Sequence, residues 1–142
     1  MARKNFTLDD SGLTIKAAGL VGASAGGSVI ADLGEGFVEG NILIDVTALE
    51  VDTGDESYDI ILQLSPDSDF GTDTNIVEKV GINLADATQK RSDANADDVV
   101  GRYVIPFNNL YGTSYYRYAR IYTVVGGTVV TGINYSARIV KR

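Results

Sequence analysis

Residues Tyr115 to Val140, YYRYARIYTVVGGTVVTGINYSARIV, dispose their side chains with a period of two, which an extended chain uses and a helix does not. Tyr116, Tyr118, Arg120, Tyr122 and Val124 fall on one face of a strand. Tyr115, Arg117, Ala119, Ile121 and Thr123 fall on the other. Gly126-Gly127 offers two residues able to take positive φ, so the stretch predicts a β-hairpin. Its return strand sets Val129, Thr131, Ile133, Tyr135, Ala137 and Ile139 on one face. Each strand would run to about eleven residues, and a two-stranded ribbon of this kind is not stable alone. The rest of the chain must therefore supply sheet partners.

It has the strands to do so. Leu13, Ile15 and Ala17 alternate with Thr14, Lys16 and Ala18, and a second short strand spans Val29 to Leu33. Asn41 to Val51 is a long strand with Ile42, Ile44, Val46 and Ala48 on one side. The turn residues Asp52 to Glu56 join it to Tyr58, Ile60, Leu62 and Leu64, which predicts a second hairpin stopped at Ser65-Pro66. Ile76 to Ile82 and Val99 to Phe107 follow, the latter ended at Pro106. Between strands lie a small-residue linker, Gly19 to Ser28, and the longest irregular stretch, Asn83 to Asp98. The linker lacks the Gly-Lys-Ser/Thr of a phosphate-binding loop. Met1 to Asp10 has no periodic apolar face and reads as an extended arm. Seven or eight strands, turn signals at short intervals and no helical period define an all-β antiparallel sandwich or barrel. The expected organisation is an N-terminal arm over 1–12 and one sandwich domain over 13–142, since 142 residues suit a single core.

Composition removes whole classes of chemistry. The chain contains no Cys and no His, so thiol nucleophiles, the usual zinc sites and the commonest general base are absent. No apolar run reaches the roughly 18 residues of a membrane span. The formal net charge is −7, unevenly spread. Residues 1–100 carry all 19 acids and six bases (Arg3, Lys4, Lys16, Lys79, Lys90, Arg91), a net of −13. Residues 101–142 carry six bases (Arg102, Arg117, Arg120, Arg138, Lys141, Arg142) and no acid, a net of +6. Basic strands set beside acidic ones within one fold account for this split, because cross-strand charge pairing is common. Opposite-signed surfaces docking on neighbouring subunits are the sharper alternative, and contacts of that kind weaken with salt.

Three constellations invite a chemical reading. Asp67, Asp69, Asp73 and Asn75, with Glu78 beyond, have the oxygen-rich spacing of a calcium loop. Gly71 falls one position early for an EF-hand, no helices flank the loop, and Asx-turns explain the same residues without a metal. The adjacent acids Asp9-Asp10, Asp55-Glu56 and Asp97-Asp98 point apart in turns, whereas a glycosidase needs two acids across a cleft. The Tyr–Arg alternation over 115–122 resembles a stacking platform for single-stranded nucleic acid, but a pI near 4.4 opposes phosphate binding. No catalytic set, cofactor, nucleic acid or membrane partner is expected.

The run Arg117-Tyr118-Ala119-Arg120-Ile121-Tyr122-Thr123-Val124-Val125-Gly126, followed by Gly132 in a β-branched return strand, resembles the C-terminal hairpin of the capsid cement (decoration) proteins of tailed bacteriophages. Leu33-Gly34-Glu35-Gly36 leading into strand 41–51 is similar, as is Leu62-Gln63-Leu64-Ser65-Pro66-Asp67 followed by Phe70. These pieces run in order over about residues 29–140. The resemblance implies a jelly roll on the outer surface of the virion, a homotrimer that clamps neighbouring subunits of the major capsid protein. It supplies no catalytic residues. The expected interface residues, chosen as those the core does not need, are Arg3, Lys4, Asn5, Phe6, Lys90, Arg91, Arg117 and Arg120. The alternative is a β-sandwich binding module, either carbohydrate-binding or a tail-fibre, receptor-binding domain, for which Tyr would have to replace the absent Trp.

Overall fold

A computed structural model describes residues 13–71, 75–86 and 100–141. The strands, in chain order, are β1 (Thr14–Val21), β2 (Ala25–Gly26), β3 (Ala31–Asp32), β4 (Glu39–Leu49), β5 (Ser57–Ser65) and β6 (Val77–Leu84). They continue with β7 (Gly101–Asn108), β8 (Leu110–Tyr111), β9 (Ser114–Tyr115), β10 (Tyr118–Gly126) and β11 (Ile133–Lys141). One sheet has the order β1-β11-β4-β7. The other has the order β2-β10-β5-β6, with β3 also on β10, and β8-β9 form a small ribbon. All pairings are antiparallel.

The two sheets face each other across one core, so the expected all-β antiparallel sandwich is what the chain forms. The period-two reading assigns the faces correctly. Ala119, Ile121 and Thr123 of β10 point inward with Tyr58, Ile60, Leu62 and Leu64 of β5. Ile133, Tyr135, Ala137 and Ile139 of β11 face them from the other sheet, beside Ile42, Ile44 and Val46 of β4. Tyr118, Arg120, Tyr122 and Val124 line the outer face of β10 and are only half-buried.

The two predicted hairpins do not form. β10 and β11 belong to opposite sheets: β10 pairs with β5 from Tyr118↔Ser65 to Gly126↔Ser57, while β11 pairs with β4 and β1. β4 and β5 are likewise split between the sheets. In both cases the connection is an arch across the core, which sets the inward rows of its two strands against each other. Thr123 Oγ1 and Tyr135 Oη meet at 2.5 Å across one arch. The Tyr58 hydroxyl donates to the Glu50 carbonyl at 2.9 Å across the other. Alternation reports which side of a strand is apolar; it carries no information about which strand lies beside it.

The hydrogen bonding of residues 127–132 explains why the chain crosses over there. Gly126 is still paired in β10, and Gly127 leaves the strand at φ 82°. The loop then folds onto the Glu50 carboxylate, which accepts from the backbone N–H of Val130 (3.0 Å), Thr131 (2.6 Å) and Gly132 (2.6 Å). Gly132 sits at φ 92°, and a Cβ there would lie 2.1 Å from the Val21 carbonyl, so only glycine fits. Several strand limits also differ from expectation. β10 and β11 have nine residues each and begin at Tyr118 and Ile133, not at Tyr115 and Val129, since Tyr115 belongs to β9 and residues 129–132 to the arch. β1 runs on to Val21, and β2 forms within the supposed linker. β7 continues through Pro106 to Asn108; it is an edge strand, where a missing N–H faces outward.

Candidate functional site

One end of the sandwich collects the start of β4, the end of β7 and the ends of β11 and β5, as the pairings Gly40↔Lys141, Gly40↔Phe107 and Tyr118↔Ser65 show. Two connections cross this end: residues 33–38 between β3 and β4, and residues 109–117 between β7 and β10. Asn109 joins them. It is 0 % exposed, although asparagine belongs to the mostly exposed residues. Its Oδ1 accepts from the Val38 N–H at 2.8 Å, and its Nδ2 donates to the carbonyls of Gly36 and Tyr116, each at 2.9 Å. The backbone adds Asn109 N to Val38 O at 3.0 Å and Tyr116 N to Asn109 O at 2.9 Å. Lys141 Nζ donates to the Leu33 carbonyl and Lys79 Nζ to the Leu110 carbonyl, which fastens the same two connections to β11 and β6.

The clamped connections carry aromatic rings outward. Phe37 is 51 % exposed and Tyr115 54 %, and their rings meet edge-to-face with centroids 5.9 Å apart. Tyr111, also exposed, meets Tyr116 edge-to-face at 6.1 Å. The β8-β9 ribbon places Tyr111 and Tyr115, turning at Gly112 with φ 65°. Exposed loops normally carry an ordering cost when they bind; connections braced at their backbone have already met much of it. This end has the ring chemistry of a binding surface.

The predicted site residues fall as follows. Arg117 forms a two-pronged bond to Asp32, Nε to Oδ1 at 2.8 Å and Nη2 to Oδ2 at 3.0 Å, with Glu35 at 3.5 Å. That guanidinium, together with the Gly34 N–H, lowers the Asp32 pKa to about 2. Arg120 donates to Gln63 Oε1 at 2.8 Å and lies over the rings of Phe70 (4.7 Å) and Tyr122 (5.7 Å). Both arginines are thus engaged by their own domain. Arg102 and Arg138 both pair with Asp45, so with Arg117 three of the described bases of the C-terminal segment meet acids from earlier strands, as cross-strand pairing anticipates, while Arg120 and Lys141 bond to the Gln63 amide and the Leu33 carbonyl. Arg3, Lys4, Asn5, Phe6, Lys90 and Arg91 lie outside the described residues.

The candidate calcium ligands are used locally. Asp67 Oδ1 accepts from the Asp69 N–H and Asp69 Oδ1 from the Gly71 N–H, each at 3.0 Å, which are Asx-turns. Asp73 lies outside the described residues, and among those described no cluster of acids is arranged to hold a metal ion. Asp55 and Glu56 are loop braces: Asp55 accepts from the Thr128 N–H and hydroxyl, Glu56 from the N–H groups of Thr53 and Gly54. No helix among the described residues is long and apolar enough to cross a membrane.

Sequence reasoning missed Phe37, Asn109 and Glu50. Phe37 follows the glycine pair Gly34 and Gly36, a backbone signal that a ring is carried on a tight loop. Asn109 and Glu50 act through partners 71–82 positions away or across a turn, and nothing local marks them. No family model matches the chain, and no curated protein matches it.

Proposed function

We propose that this protein is a structural component of a bacteriophage virion: a jelly-roll homotrimer that binds the outer surface of the capsid and stabilises contacts between major capsid subunits. The observation that carries the proposal is the braced aromatic end, where Phe37, Tyr111 and Tyr115 stand exposed on connections locked by Asn109. Rigid aromatic anchors ringed by polar groups are the chemistry of protein–protein hot spots. The strand order supports the jelly-roll part. β1 pairs with β11, β2 and β3 with β10, β4 with β7, and β5 with β6, the nested pairing that arises when a folded ribbon wraps into two sheets. The sequence resemblance over about residues 29–140 points the same way.

The test is reconstitution on capsids lacking the protein. Wild-type protein is expected to co-sediment with capsids and raise their melting temperature. Phe37→Ala/Tyr115→Ala, which removes only exposed rings, is expected to weaken binding at least about 30-fold, since two hot-spot side chains each contribute about 1–2 kcal/mol. Capsid affinity unchanged by the double substitution would refute this site. A second reading, a carbohydrate- or receptor-binding module, is favoured by the exposed Tyr111 and Tyr115. It expects hits on a glycan array that the same double substitution abolishes, and no capsid binding.

A further inference from the structure

A cleft of about 270 Å³ opens between β1 and the β2–β3 edge, floored by Ile121 and Thr123 of β10 and rimmed by Leu20, Val21 and Val29. Leu20 is 61 % exposed, so the rim presents bare apolar surface. Lys16 is the one charged residue of the lining, and it is turned back on its own chain. Its amine donates to the carbonyls of Ala17 (3.0 Å), Gly19 (3.2 Å) and Tyr135 (2.8 Å) and lies 4.2 Å from the Tyr135 ring centroid. All three ammonium protons are committed, so this side chain offers an entering group no free donor.

A matching apolar group stands on the arch between β10 and β11. Val130 is 86 % exposed, the most exposed large apolar side chain of the described residues. It does not sit on a loose loop. Its N–H and those of Thr131 and Gly132 are held by the Glu50 carboxylate, and Gly132 packs against the end of β1.

Knob and cleft on the same chain make a second copy the fitting occupant, and charge favours this pair of patches. Copies of a chain with net charge −7 repel each other, which disfavours contact through acidic faces and favours segments poor in charge. The two longest runs without a charged residue are 121–137 and 17–31. The first contains the cleft floor and the Val130 arch; the second contains the cleft rim. We infer that the occupant of the cleft is a second copy of this chain, which inserts Val130 from its β10–β11 arch. Knob and cleft are different patches, so the contact is directional and generates a ring when its rotation closes. The inference rests on the homotrimer part of the function proposed above, and supplies its contact.

Light scattering on the full chain at about 100 μM, in 50 mM and in 1 M salt, provides the first test. Wild type is expected at a multiple of 15.1 kDa, with association unchanged or strengthened by salt because screening relieves the repulsion. Val130→Asp is expected at 15.1 kDa in both, with an unaltered circular dichroism spectrum. A monomeric wild type, association that salt dissolves, or a Val130→Asp chain of wild-type mass overturns the inference. The chain has no cysteine, which permits a second test independent of that variant's folding. Val130→Cys and Val29→Cys chains, mixed and oxidised, are expected to form the mixed disulfide about tenfold faster than Val130→Cys with Phe37→Cys at the opposite end. Equal rates overturn it. Capsid binding is read separately: a monomeric Val130→Asp that still binds capsids through Phe37 and Tyr115 separates self-association from the capsid reading.

Discussion

Replacing Asn109 with alanine tests whether the aromatic end is braced as described. The side chain makes three hydrogen bonds, to Val38 N, Gly36 O and Tyr116 O, all between 2.8 and 2.9 Å. At about 1 kcal/mol net for each bond, the loss comes to about 3 kcal/mol. For a domain of this size, that lowers the melting temperature by roughly 8–10 °C. Urea denaturation followed by far-ultraviolet circular dichroism measures the change. The midpoint is expected to fall with the slope unchanged, because the surface exposed on unfolding is the same. Asn109→Asp separates hydrogen bonding from size. It keeps an acceptor for Val38 N–H but sets a carboxylate oxygen against two carbonyls, so at pH 7 it is expected to be at least as unstable as the alanine variant. A loss below about 1 kcal/mol for Asn109→Ala, or an aspartate variant near wild type, would show that the two connections hold without this residue.

Two further expectations concern pH. The Glu50 carboxyl is lowered to about 2, first by the Gly132 and Val130 N–H groups, with burial opposing and Thr131 adding. Its contribution is therefore complete above the ordinary carboxyl range and is lost as pH falls through about 2. Glu50→Gln is expected to melt lower at pH 7 and to show a shallower acid decline in a pH series of thermal melts; a parallel decline would refute the assignment. Burial raises the Tyr58 and Tyr135 hydroxyls to about 12, with Glu50 and Glu56 adding at Tyr58 and the Thr123 bond partly offsetting at Tyr135. Their contribution holds below about pH 10, the unfolded value, and is lost as pH rises through about 12. In an ultraviolet titration these two tyrosines are expected to ionise last, together with unfolding; all eight ionising near pH 10 in folded protein would contradict the burial.

The sequence by itself determined the long strands and how their side chains divide between two faces. Period-two alternation in 118–124, 133–139 and 58–64 sorted the side chains into the rows the structure shows, because side-chain direction in an extended chain depends only on parity; which row turns inward was set by the sheet opposite. Charge was legible in part: a basic segment following an acidic one becomes Arg102 and Arg138 on Asp45, and Arg117 on Asp32. Strand partners were decided by the tertiary structure alone. Gly126-Gly127 has the composition of a hairpin turn, yet the chain arches between sheets, since Glu50 binds the loop and β5 occupies the edge that β11 would have taken. The candidate site was equally hidden. Asn109 stands some seventy residues from Gly36 and Phe37, and the brace exists only because antiparallel β4 and β7 bring Gly40 opposite Phe107. Local sequence fixes what an extended chain presents on each side; which surfaces meet is set by the energy of closing a core, and that is a property of all the strands at once.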